Sequence, residues 1–403
     1  MRILFLTDNF PPEVNAPATR TYEHCREWVK LGAEVTVITG FPNFPQGKVY
    51  AGYKNSPKKV EYIDGIKVIR VWTYITANEG FLKRTLDYIS FSIISFFAGL
   101  FQRADIIIAT SPQFFTALSG RTLSFWKRKP WIMEVRDIWP ESIKTVGALN
   151  DNFIIKYFER EELRCYKSAK HIIVVTDSFK DTIVGKGVNP DKITVVKNGA
   201  NLELFKPQVK NQALISRLQL EGKFVLGYIG THGMAHKLDF ILDSAKQIAK
   251  MDNDIHFLMI GDGAEKQNLL EKKHNEGIVN VTMLDSVSKS DIVDYLSILD
   301  ASVVNLRKSD LFKTVIPSKI FESCAMGIPI LLGVDGETRK IVENHNAGIF
   351  YEPENKKDFL ESISYLKNNV EVYNNLKQGA FNLAEAYDRK ELAKKMYMCI
   401  QSI

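Results

Sequence analysis

The chain has little cysteine, no long apolar run and almost no charge imbalance, and each shortage removes a class of protein. Its four cysteines, Cys25, Cys165, Cys324 and Cys399, are scattered through 403 residues with no C-x-x-C pair and no histidine pairing beside them. Neither a disulfide framework nor a zinc site fits that usage, and reduced thiols in a cytoplasmic protein are expected. No stretch reaches the roughly 20 apolar residues that a spanning helix needs. The opening MRILFLTDNF meets Asp8 after too short an apolar run for a secretory leader, and reads as a first buried strand. Net charge is 53 − 47 = +6, which suits an anionic ligand or surface but not nucleic acid. Two further absences concern chemistry. No acidic pair stands on a post-strand loop to hold a catalytic metal, and Lys266 stands where the third glycine of a dinucleotide fingerprint would follow Gly261 and Gly263. Neither a metal nor a cofactor is expected, and a nicotinamide enzyme is set aside.

What is present is an alternation of apolar, β-branched runs with amphipathic stretches. Hydrophobic content of 45% and charged content of 25% are ordinary for a globular enzyme, and the length calls for two domains. Strands are predicted from Ile3, Val35, Ile66, Ile106, Trp131, Ile172 and Ile193, then, after a polar break over 198–223, from Phe224, His256, Val281, Ala301 and Ile328. Runs apolar on both faces with helical crossovers mean doubly wound parallel sheets, an α/β class. The expected division is 1–205, 206–385 and a terminal helix over 386–403.

Four segments carry candidate chemistry. In TVIPSKIFESCAMGIPILL, Pro317 and Ser318 turn into a short helix that sets Lys319 and Glu322 on one face, and Gly327 stops it before a buried strand. That face suits a nucleotide's hydroxyls and phosphates; an ordinary surface ion pair is the alternative. In GTHGMAHKLDF, Gly230 and Gly233 permit close backbone approach and Lys237 opens a helix. WIMEVRDIWPES leaves a strand with Arg136, Asp137 and Glu141 at its C-terminal end, where such folds place chemistry. There a catalytic carboxylate and a structural Arg136–Asp137 pair are both open. TDNFPPEVNAPATRTYEH brings Asn15 and Arg20 to the first helix, as groups facing an anion or as parts of a rigid cap.

PSKIFESCAMGIPI resembles the SK-x-x-E-x-x-A-x-G-x-P signature of the GT4-type glycosyltransferases, which share the GT-B fold and use nucleotide sugars. The resemblance extends over nearly the whole chain and implies two Rossmann-like domains facing across a cleft. It implies that Glu322 binds the donor ribose, with Ser318 and Lys319 beside it, and that Gly230, Thr231 and Lys237 line the donor diphosphate. Thr231 stands where relatives carry an arginine, and Thr314 where they carry a first glutamate; Arg307 and Lys313 are nearby cations. Arg136 stands where many relatives have histidine, which leaves Asp137 and Glu141 as acid/base candidates. The phrases together are similar to O-antigen and capsule enzymes described as N-acetyl-L-fucosamine transferases. The implied reaction moves that sugar from a UDP donor to a polyprenyl-diphosphate-linked saccharide. A nucleotide-sugar 2-epimerase and a noncatalytic nucleotide-binding subunit are the rival readings.

A last segment bears on location. YISFSIISFFAGLF, residues 88–101, carries no charge, is too short to span, and lies among Lys83, Arg84 and Arg103. Either it is a core helix, or Phe96 and Phe97 rest on the anionic inner face of the membrane. Lys127, Arg128 and Lys129 would then add charge, or else form a solvated basic loop, and Arg20 is grouped with this acceptor-facing set.

Overall fold

The computed structural model describes residues 1–44, 46–76, 81–140, 153–288 and 291–403. Two compact units emerge, Met1–Lys197 with Arg389–Ile403, and Asn198–Asp388. The first unit therefore ends eight residues before the boundary read from the sequence, and the last helix belongs to it.

The first unit is built on eight strands: β1 (Arg2–Leu6), β2 (Glu34–Thr39), β3 (Lys58–Ile63), β4 (Ile66–Val71), β5 (Ile106–Thr110), β6 (Trp131–Val135), β7 (His171–Val174) and β8 (Ile193–Val195). Their order is β3-β4-β2-β1-β5-β6-β7-β8, parallel except for the antiparallel β3–β4 pair. Central strands such as β5 are buried at every residue, as a sheet covered on both faces demands. Edge strand β3, KKVEYI, alternates exposed and half-buried residues and carries charge, which blunts an open edge. It has no apolar run, so the sequence pattern passes over it.

In the second unit β9 (Phe224–Ile229), β10 (Ile255–Ile260), β11 (Val281–Leu284), β12 (Ala301–Asn305), β13 (Ile330–Gly333) and β14 (Gly348–Phe350) form a parallel sheet in the order β11-β10-β9-β12-β13-β14. Strand order reverses between β9 and β12 here, and between β1 and β5 in the first unit. Outside the carboxyl ends of such reversal points, loops diverge and leave a crevice for a ligand.

Three helices of the first unit matter below: α1 (Ala16–Lys30), α2 (Phe81–Leu100) and α3 (Phe114–Lys127). The final helix, Arg389–Gln401, lies on α1, where Trp28 Nε1 donates to Ala393 O at 2.9 Å. Met396 and Ile400 share the core cluster of Trp28. Helices α2 and α3 meet along a seam of small residues. Ser95 and Ser119 hydroxyls are 3.0 Å apart, and a Cβ on Gly99 would stand 2.5 Å from Leu123 Cδ2. The small, polar stripe of α2 is thus its buried face. Because that seam takes the polar side inward, Leu86, Ile93, Phe97 and, just past the helix end, Phe101 are exposed along the opposite stripe.

Candidate active site

In the second unit the switch point is built from three turns. Gly230 directly follows strand β9 and Gly261 strand β10, both with positive φ, and Gly263 comes two residues later at φ 154°. A Cβ on Gly261 would fall 1.8 Å from Gly230 O, and one on Gly263 2.6 Å from His232 O, so these turns admit only glycine. The interlock is completed by His232 N donating to Asp262 O at 2.8 Å and Glu265 N to His232 O at 2.9 Å. The G-x-G is therefore a packing device that fixes the 230–237 loop.

Into this frame the helix Lys319–Ala325 delivers its first residue. Lys319 Nζ lies 3.7 Å from the centroid of the Tyr228 ring and has no hydrogen-bond partner among the described residues. Burial pushes its ammonium down to about 7, partly countered by Glu322. Glu322 follows in the same first turn, half-buried, and Ser318 precedes the helix without a side-chain cap bond. Tyr228 is itself buried and donates its hydroxyl to Thr231 O at 2.7 Å, holding the exposed Thr231 in place.

Lys237 is differently placed. Its backbone is left-handed, φ 49°, just before the helix Leu238–Ile248. Its ammonium pairs with Asp239 at 2.7 Å, which raises its pKa. Any anion must compete with Asp239 for it. Arg307 is exposed beside it, its backbone N bound to Ala235 O at 2.9 Å. Sequence reasoning missed Asn305, whose amide donates to His236 O at 2.9 Å while its oxygen accepts from Tyr351. It also missed His232 and His236. His232 is fully buried with neither ring nitrogen bonded, and His236 Nδ1 is equally unpartnered among the described residues. A histidine beside paired glycines was the available signal.

In the first unit the sequence-selected residues separate. Asn15 caps α1, its Oδ1 accepting from Ala18 N at 2.9 Å and its Nδ2 donating to Asn9 at 2.7 Å, so it has structural duties at both ends. Arg20 is a correction: it is buried, with Nε donating to Glu134 at 3.0 Å and its terminal nitrogens to Val196 O and Lys197 O, each at 2.9 Å. It is placed on no surface. Burial pushes Glu134 up, and Arg20 and Arg136 overturn that, leaving it below the ordinary carboxylate value. Arg136 is likewise drawn inward, to Pro17 O at 3.2 Å, and burial lowers it to about 10. Glu134, two residues back along the chain, is the carboxylate whose charge partly offsets that burial. Half-buried Asp137 follows β6, its backbone N directed to Ser111 Oγ at 3.2 Å. Glu141 lies outside the described residues. At the β1–β5 switch point the sequence had not marked Asp87, which desolvation and nearby Glu13 raise to about 7.

The candidate lipid-facing set divides too. Lys83, Arg84, Arg103, Arg128 and Lys129 are exposed. Lys127 donates to Leu100 O at 3.0 Å, tying the ends of α2 and α3, and Phe96 packs against the core, so neither is free for lipid. The basic segment is the end of α3 and its cap, with Arg128 left-handed at φ 53°, and not a loop. Phe125 and Trp126 stand exposed there at 79% and 66%, beside the tip of α2 that Lys127 binds. Among the described residues no helix is long and apolar enough to cross a membrane.

The chain resembles known proteins over most of its length. Residues 15–199 match the glycosyl transferase 4-like domain, and residues 210–383 match glycosyl transferases group 1. The chain is 25% identical over 340 residues to the Escherichia coli (strain K12) protein WcaI, named as a colanic acid biosynthesis glycosyl transferase, covering 81% of this chain and 82% of that one. It is 28% identical over 208 residues to Bacillus subtilis (strain 168) TuaH, named for teichuronic acid biosynthesis, covering 50% and 49%. The crystal structure of Anabaena Alr3699/HepE in complex with UDP covers both chains fully, with a TM-score of 0.71 at 15% identity.

Proposed function

The chain belongs to the glycosyltransferases, a 4-like domain followed by a group 1 domain in the GT-B fold, and from that premise we propose a role in bacterial polysaccharide assembly. The enzyme takes a UDP-linked sugar and transfers the sugar to a polyprenyl-diphosphate-linked saccharide at an anionic membrane surface. The observation that carries the donor side is Lys319, a buried cation without a hydrogen-bond partner among the described residues, set over Tyr228 at the switch point with Glu322 one turn on. A buried cation left so exposed to its own desolvation is costly unless an anion completes it. The ribose falls to Glu322 and the diphosphate to Lys319 and the Gly230 turn. Lys237 and Arg307 stand at the rim, and charge on the departing diphosphate is met without a metal. Asp137, after β6, is the carboxylate assigned to the acceptor side.

The polysaccharide class follows the names of the relatives, which concern colanic and teichuronic acids. The lipid-linked acceptor follows the exposed apolar stripe of α2 with its cationic border. N-acetyl-L-fucosamine is the sugar to test first. The deciding assay incubates the full chain with labelled UDP-sugars and a polyprenyl-diphosphate monosaccharide, with EDTA present in parallel. Labelled glycolipid is expected, unaffected by EDTA. Conversion of the donor alone to an epimer, with no glycolipid, would replace the transferase reading by the epimerase one.

A further inference from the structure

Four nitrogens converge on the Tyr228 ring and none of them is satisfied among the described residues: Lys319 Nζ, both ring nitrogens of His232, and His236 Nδ1. The imidazole centroids of His232 and His236 each lie 5.9 Å from that of Tyr228, and the ammonium lies 3.7 Å from it. Only a glycine at 230 leaves the ammonium its place, since a Cβ there would stand 2.8 Å from Lys319 Nζ. Buried polar atoms are ordinarily paired, and several unpaired nitrogens gathered around one ring mark a place that an anionic group would complete. Three basic side chains packed so closely cannot all be charged while the pocket is empty, because each repels the next out of water.

Resting on the donor-site reading above, we propose that His232 binds the donor's diphosphate directly and that the pocket takes up a proton when the diphosphate enters. Before the diphosphate enters, the two histidines are uncharged at neutral pH and Lys319 is only partly charged. Burial holds Lys319 at about 7, and burial with Lys266 and Lys319 beside it holds His232 at about 4. Burial and Lys319 hold His236 lower still, at about 3. Other charges face the cluster from each element packed on it. Glu322 follows Lys319 on its helix. Asp262 and Lys266 come from the loop and helix after β10, and Lys266 is itself bound to Gly261 O at 3.0 Å. Asn305 approaches from β12 through the His236 carbonyl. None of these supplies a net negative charge equal to a diphosphate, so an entering diphosphate reverses the local field and favours protonation of Lys319 first and His232 next. The protonated groups then stand as donors to the oxygens on which charge collects as the sugar departs.

The test is calorimetric titration of the full chain with UDP, and with GDP in parallel, at pH 7 and 8 in PIPES, HEPES and Tris. Net proton uptake appears as an apparent binding heat that changes linearly with the buffer's ionisation heat. The expected uptake is about half a proton at pH 7, rising toward one at pH 8 as Lys319 loses its proton in the free protein. His232→Gln should weaken UDP by about tenfold or more while the protein keeps its melting transition, and Lys319→Met should cut the uptake sharply, leaving only the share of His232. Wild-type protein that binds UDP with no dependence on buffer, or that releases protons, overturns the inference and leaves the donor assignment standing. So does His232→Gln binding UDP as tightly as wild type. Failure of the wild type to bind either nucleotide overturns the donor assignment itself, and the inference with it. The wild-type buffer dependence needs no variant, so the question stays open to refutation even if His232→Gln does not fold.

Discussion

At the scale of single residues, this enzyme accepts instability where it needs charge. Lys319 is held near 7 by burial instead of at its ordinary 10.5. Between those values the unfolded chain carries a proton that the folded chain has released, so the second unit should gain stability as pH rises from about 7 to 10. Lys319→Met removes that rise. At pH 7 it should raise stability by about 1–3 kcal/mol, because replacing a buried charge with an apolar side chain of similar size relieves desolvation. Denaturant titrations of the two proteins across that pH range check the sign, and a fall in stability would mean that Lys319 has a structural partner. Glu322→Ala should weaken UDP by roughly 1.5–3 kcal/mol, the worth of a charged hydrogen-bonding partner lost from the ribose. Lys237→Ala should do less, since its ammonium already has Asp239 and stands partly in water. If it slows turnover more than Glu322→Ala does, the diphosphate lies nearer the rim than Lys319 suggests.

At the scale of elements, helices that look alike in sequence have opposite assignments in space. Helix α2 is apolar around most of its circumference, and its serines invite the reading of a polar outer face. Packing against α3 inverts that, because close approach at Gly99 and Ser95 requires small residues at the seam. The exposed stripe of Leu86, Ile93, Phe97 and Phe101, with Phe125 and Trp126 nearby, then has the composition of an interfacial surface. Reversal of Arg103, Arg128 and Lys129 to glutamate should abolish cosedimentation with anionic liposomes and leave UDP binding intact. Lys127 is excluded from the set because its bond to Leu100 O ties two helices. Binding that survives both the reversal and high salt would exclude charge as the attachment.

Much of this scale was legible in the chain. β4, β5, β6, β9 and β11 begin at the residues that apolar, β-branched runs mark, and β5 and β6 are buried at every residue. β3 and the three-residue β14 were not legible, one being a polar edge and the other too short to show a period. The short helix carrying Lys319 and Glu322 was also plain, from its proline start and glycine stop. The fate of Arg20 was hidden, because nothing local announces a carboxylate 114 residues on. Arg20→Met should destabilise the first unit by about 3–5 kcal/mol, by stranding Glu134 without its hydrogen-bonded cation. Unfolding by urea checks this; an unchanged midpoint would return Arg20 to a surface role.

At the scale of the whole molecule, the first unit is discontinuous in the chain. Its sheet is complete by Lys197, yet Trp28 finds the carbonyl of Ala393, and Glu23 its ion pair with Arg389, only in the last fifteen residues. The two units therefore become complete in the reverse of the order in which they begin. The second unit has all its strands and helices by Asp388 and is free to close while the first, made earlier, still waits with the apolar face of α1 bare to solvent. A nascent chain that stops short by one helix leaves a finished second unit attached to an unfinished first one, and cellular surveillance meets it as an exposed tryptophan face.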